Sequence, residues 1–263
     1  MDANTLIRRG SNGVFGIEAK DLMWIEASRP GLRLAAVSED RRKGKFLGYI
    51  GFEPLASTGL HQHLDIAFSY FVDGGLTDYQ GAAVTGDMGI NLKGATHDAI
   101  AYRKTLAAAR LEGPVLYEGP GNVAGPALHS GAKVAPIVNE APEVMPDNNI
   151  PVALLPAVST AVAGISRRLI YDYHKVAREG RSVQLQFLPG SATPPFEATA
   201  PISFFVIGGA LDIGGIRIGG GGFGIVDEGT PTRLASGFGA LVLAWAEGPA
   251  RWLDQKAPDL FGF

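Results

Sequence analysis

Residues 59–75 read GLHQHLDIAFSYFVDGG and place two of the chain's five histidines, His61 and His63, one residue apart in an apolar run. Side chains on a β-strand alternate between faces, so on a strand these two imidazoles point the same way. His97 follows 34 positions after His63, behind the turn-like LKGAT. Three imidazoles suit a catalytic zinc, iron, copper or nickel site with open positions. The competing reading packs His63 in a core and leaves His61 to bond locally, because an isolated His-x-His is often accidental. The third histidine favours the metal.

The bulk composition narrows the classes. With 263 residues the chain is long for one domain and sufficient for two of modest size. It has no cysteine, which excludes disulfides and thiolate metal sites. A net charge of −3 and a pI near 6.0 give no electrostatic case for nucleic acid or an anionic membrane as partner. The opening MDANTLIRRGSNG lacks the apolar core of a secretory signal. The longest apolar stretch, IPVALLPAVSTAVAGI, is interrupted by Pro151 and Pro156 and is too short to span a bilayer. The expectation is a soluble, cytoplasmic protein.

Thirty-six glycines and 17 prolines point to short strands and tight turns. KFLGYIGFEP, FSYFVDGG, SVQLQFLPG, ISFFVIGG and GALVLAWAEG all read as strand followed by turn, and together they predict an all-β sandwich or barrel. HDAIAYRKTLAAARLEG (97–113) has a helical composition, although its front half reads equally well as a strand. The runs also repeat. GFEPLASTGLHQH (51–63) falls on QFLPGSATPPFEA (186–198) and GDMGINLKGATH (86–97) on GGFGIVDEGTPT (221–232), both at an offset of 135 residues. Two copies of one β domain follow, at residues 1–111 and 156–263. The Gly/Pro-rich stretch 112–155 is expected to connect them as a functional loop, an interdomain wrap or a disordered segment.

LHQH followed by YFVDGG and then GDMGINLKGATH resembles the two motifs of the cupin superfamily. His61 and His63 match the first motif; Gly86, Gly94 and His97 match the second. The first motif's usual glutamate falls at Ala67 and its leading glycine at Leu55. In the second motif Leu92 takes the proline place and Ala101 the asparagine place. Trp24 and PGLRLAAV ahead of the barrel look most like cupins related to the anti-sigma factor ChrR and to dihydroxyacetophenone dioxygenase. The resemblance implies two tandem jelly-roll barrels and one divalent metal per chain on His61, His63 and His97. Fe(II) is favoured, with zinc, nickel or manganese as alternatives. It further implies O2 and a small diketone or aromatic ketone as reactants, and a homodimer. In the acetophenone enzymes a glutamate after the first motif approaches the metal; its place falls near Gln80, which reads more simply as an exposed turn residue. Tyr70 and Tyr102 flank the expected cavity as candidate proton-relay residues, with packing the simpler role. In the second copy Phe196, Ala198 and Thr232 occupy the histidine places and Ile202 aligns with Ala67, so that barrel is expected to be apolar, empty and without metal.

Other signals carry less. GGGGFG (219–224) satisfies a dinucleotide fingerprint, but strand and turn residues follow it, which makes it a barrel corner. His129 and His174 read as solvated, and RRKGK (41–45) as a hairpin tip. Two rival functions stay open: a non-redox isomerase or hydrolase using the metal as Lewis acid, and a small-molecule or metal sensor without turnover.

Overall fold

A computed structural model describes residues 12–117, 146, 148–254 and 256–263; His129 lies outside them. Its contacts divide the chain into two compact units, residues 23–153 and residues 1–22 with 154–263. Among the described residues every regular element is a strand or a short 3-10 turn, and no helix is long and apolar enough to cross a membrane. Residues 98–104 are loop and Thr105–Leu111 is a strand, so the helical composition of 97–113 is overridden by sheet pairing.

In the first unit a seven-stranded sheet runs in the order Asn148–Pro151, Asp87–Asn91, Ala67–Asp73, Thr105–Leu111, Lys45–Phe52, Leu32–Asp40, Ile25–Glu26. A three-stranded sheet holds Thr96–His97, His61–His63 and Val115–Tyr117. Along Ala67–Asp73 the residues Ala67, Ser69 and Phe71 line the interior, as a two-residue alternation requires. Tyr70 is buried on the opposite face, away from the cavity, and Tyr102 is 59% exposed. Neither lines the cavity that the three histidines border. RRKGK is the turn between Leu32–Asp40 and Lys45–Phe52, closed by Lys43 N–H donating to the Asp40 carbonyl.

The second unit repeats the plan at the same offset. Phe196 pairs with Thr232 and Trp252 as His61 pairs with His97 and Tyr117. Its large sheet runs Val14–Ile17, Phe223–Val226, Ile202–Ile213, Ala240–Ala246, Arg181–Phe187, Ile165–Asp172, Val158–Ser159. GGGGFG is the corner between Ile216–Gly219 and Phe223–Val226. The domain limits differ from the expected ones at both ends. Val14–Ile17 pairs with Phe223–Val226, so the described residues up to Leu22 group with the second barrel. Val115–Tyr117 and Asn148–Pro151, expected to lie in the connection, are strands of the first unit. Edge strands of three and four residues carry too little periodicity to be read against a Gly/Pro-rich background.

The same frame is filled differently in the two copies. Ala67, Ser69, Asn91, Ala99 and Ala107 of the first barrel correspond to Ile202, Phe204, Val226, Leu234 and Val242 of the second, all five of them fully buried. Phe196 meets Trp252 edge to face at 6.0 Å, and Leu260 and Phe261 complete that apolar core. The Asp259 carboxylate fastens this last stretch by accepting from the N–H groups of Ala250, Phe261, Gly262 and Phe263. The expected empty second barrel is therefore a packed one, because each larger side chain takes up space that the first barrel leaves open.

Among the described non-glycine residues with left-handed φ, Asn12, Leu55 and Ala177, the branched Leu55 carries the most strain. Leu55, in the place of the family's leading glycine, has φ +66°, and its N–H donates to Ala101 O at 2.6 Å. A branched side chain in the left-handed region costs roughly 1–2 kcal/mol, part of which glycine recovers. Since the Leu55 side chain is half exposed, little packing is at stake. Leu55→Gly is expected to stabilise the protein by up to about 1 kcal/mol in urea denaturation.

Candidate metal centre

His61–His63 is the middle strand of the small sheet, and the register His61↔His97 sets the third imidazole beside the first. The turn before His97 is closed by Ala95 N–H donating to Leu92 O, with Gly94 at φ +90°, and Gly94 N–H donates back to His63 O at 2.7 Å. The Nε2 atoms of His61 and His63 lie 3.1 Å apart and those of His63 and His97 3.2 Å apart. One ligand atom from each ring falls within 4.8 Å of the others, and all three residues are buried.

The outer nitrogens fix the inner ones. Gly59 O lies 2.7 Å from His61 Nδ1 and can only accept, so Nδ1 carries the hydrogen and Nε2 presents a lone pair. His97 Nδ1 lies 3.2 Å from the Asp78 carboxylate, which makes the same assignment there. Asp78 also accepts from Gln80 N–H at 2.9 Å. The loop carrying Gly59 is tied down by Thr58 N–H donating to Ala99 O and by Ser57 Oγ donating to Asp98. Burial, then the neighbouring His97 and His63, holds the His61 ring well below its ordinary pKa, and Arg29 adds to this. Burial and His97 push His63 down to about 3. All of this favours uncharged His61 and His63 rings at neutral pH.

A divalent ion fits this donor set. The single hydrogen on His63 cannot satisfy two opposed lone pairs, so three Nε2 atoms in contact without a cation leave buried acceptors facing each other. An ion ~2.1 Å from each nitrogen would set them roughly 3.0–3.4 Å apart, the spacing found between the neighbouring pairs. The glutamate place is taken by Ala67, which lines the cavity without a ligand atom. Gln80 is exposed at the tip of the hairpin Gly75–Asp78/Gly81–Val84, with its amide donating to Pro146 O, so it does not approach the rings. The acidic partner is Asp78, on the neighbouring strand. His174 is exposed beside Asp172 in the other unit.

The rings open onto a cavity of about 440 Å³, the size of a small-ligand pocket. Leu34, Ile50, Phe52, Phe71 and Leu76 form apolar walls, and Ser69, Asn91 and Asn149 supply polar points. Arg29, Arg41, Lys45 and Tyr117 also border it, and the Tyr117 ring stands 5.6 Å from that of His61. Asp78, Arg29 and Tyr117 were not singled out from the sequence. Their proximity to the histidines is created by the hairpin and by the strand Val115–Tyr117.

The first barrel is a jelly roll whose small sheet carries three convergent histidines, a group that could hold a metal ion. Residues 12–115 match the family model of the ChrR Cupin-like domain. No curated protein matches the sequence. Among solved structures, a candidate dioxygenase from Nostoc punctiforme superposes with a TM-score of 0.70 at 11% identity, over 97% of this chain and 88% of that one. Oxalate decarboxylase from Bacillus subtilis does so at 0.64 and 14% identity, over 91% and 78%. At these identities the likeness is one of fold.

Asp78→Asn removes the charge that orients His97 and is expected to weaken divalent-metal affinity about 10- to 100-fold, read by competition with a chromophoric chelator. The depressed pKa values also fix the pH dependence of the metal-free protein. Unfolded histidine takes up its proton near 6.5, whereas folded His61 and His63 resist it. Their contribution is therefore intact above about pH 6.5 and is lost as pH falls toward 3. Urea titrations in chelator are expected to show stability declining through that window, with a shallower decline for His63→Gln.

Proposed function

We propose that this protein is a metal-dependent enzyme, a non-haem Fe(II) dioxygenase acting on a small diketone or aromatic ketone. The observation that carries the reading is the ligand set: three histidine nitrogens, with Ala67 where a carboxylate would otherwise stand. Three neutral donors leave a divalent ion its full charge, which favours an anionic, chelating oxygen ligand such as a β-diketonate. Bound there, Fe(II) supplies one-electron redox chemistry toward O2.

The chain's own contribution is positioning. Gly59 O and Asp78 hold two of the rings in one tautomer. Leu34, Phe52 and Phe71 keep bulk water from the bound substrate, and Ser69 and Asn91 offer hydrogen bonds to its oxygens. The fold neighbours, a candidate dioxygenase and a decarboxylase, are compatible with an enzyme on this scaffold.

The test is anaerobic reconstitution with Fe(II), followed by oxygen-electrode assays on 2,4-pentanedione and hydroxyacetophenones. The expected result is O2 consumption that tracks carbon–carbon cleavage products and disappears in His63→Ala. Turnover that is independent of O2 and supported by zinc, manganese or nickel would replace this reading with Lewis-acid catalysis. Binding without any product would make the protein a sensor.

A further inference from the structure

Three cations border the first-barrel cavity, and two of them lie near a carboxylate. Arg41 Nε lies 3.0 Å from Glu39, and Lys45 Nζ lies 3.6 Å from Glu112. Arg29 has no carboxylate partner among the described residues. Its guanidinium lies instead over the Tyr117 ring, 4.3 Å from the centroid.

Two features hold it there. The first is that ring, which itself stands 5.6 Å from the ring of His61. The second is Gly59, at φ +68°: a Cβ on it would sit 2.1 Å from an Arg29 nitrogen, so only glycine allows this approach. Gly59 is also the residue whose carbonyl fixes His61. Guanidinium, aromatic ring and metal ligand thus form one connected group. The two ring separations together place the guanidinium within about 10 Å of the His61 imidazole. An arginine with its plane stacked and its edge without a partner among the described residues presents a fork that matches a carboxylate in two parallel hydrogen bonds.

We propose that Arg29 is the anion-recognition residue of this site and that the substrate is a diketone or aromatic ketone bearing a carboxylate. The chelating oxygens take the open metal positions and the carboxylate takes the guanidinium edge. The inference rests on the chelate reading above and adds a second point of attachment to it. With two anchors the substrate has one orientation in the cavity, which a symmetrical diketone held by the metal alone does not.

The experiment compares two probes on the full-length, Fe(II)-loaded protein under anaerobic conditions: 2,4-pentanedione and 2,4-dioxopentanoate, with dissociation constants read from optical titration. The dioxo acid is expected to bind at least about tenfold more tightly. In Arg29→Gln the ratio of the two affinities is expected to fall to about one, and Arg29→Lys is expected to retain part of the preference. Equal binding of the two probes by the unaltered protein, or an undiminished preference in Arg29→Gln, overturns the inference and leaves the chelate reading standing. Failure of both probes to bind overturns the chelate reading and the inference with it. The comparison within the unaltered protein does not depend on the variants folding.

Discussion

The site depends on one antiparallel register. Pairing Thr96–His97 against His61–Gln62 brings a residue distant in sequence beside the His-x-His strand, and Val115–Tyr117 on the other side fixes that strand in place. A slip of one residue would turn every imidazole on the displaced strand to the opposite face. The glycine turn before His97 and the tied loop before His61 secure the register from both ends. The rings are positioned by backbone pairing first and by Asp78 and Gly59 second.

The second barrel shows what the same register does with different side chains. Phe196, Ala198 and Thr232 meet as their counterparts do, yet Trp252, Leu260 and Phe261 close the interior around them. One sheet frame thus yields a cavity where the inward residues are alanine, serine and asparagine, and a solid core where they are isoleucine, phenylalanine and valine. Interior volume, set residue by residue, separates the candidate site from its packed copy.

Much of this was legible in the sequence, for physical reasons. Strand alternation puts His61 and His63 on one face whatever the fold, and the offset of 135 residues aligned the two copies before any coordinates. The larger inward residues of the second copy were visible at that same offset, at Ile202 against Ala67 for example, but their effect on volume needed the knowledge of which face is inward. Asp78 gives no signal of its own in the sequence, because a four-residue hairpin strand has no periodicity to show where it turns. Arg29 lies far upstream of the histidines and reaches them only through Tyr117. The strands Val14–Ile17 and Asn148–Pro151 join sheets remote from their sequence neighbours, a pairing that local patterning does not encode.

The convergence of three neutral imidazoles on one cation is tested most directly by X-ray absorption at the metal edge of the Fe(II)-loaded full-length chain, combined with elemental analysis. The expected result is one ion per chain and a scattering pattern fitted by three histidine rings at about 2.1 Å, with the remaining positions oxygen. Two ions per chain, or a shell that requires fewer than three imidazoles, would contradict it.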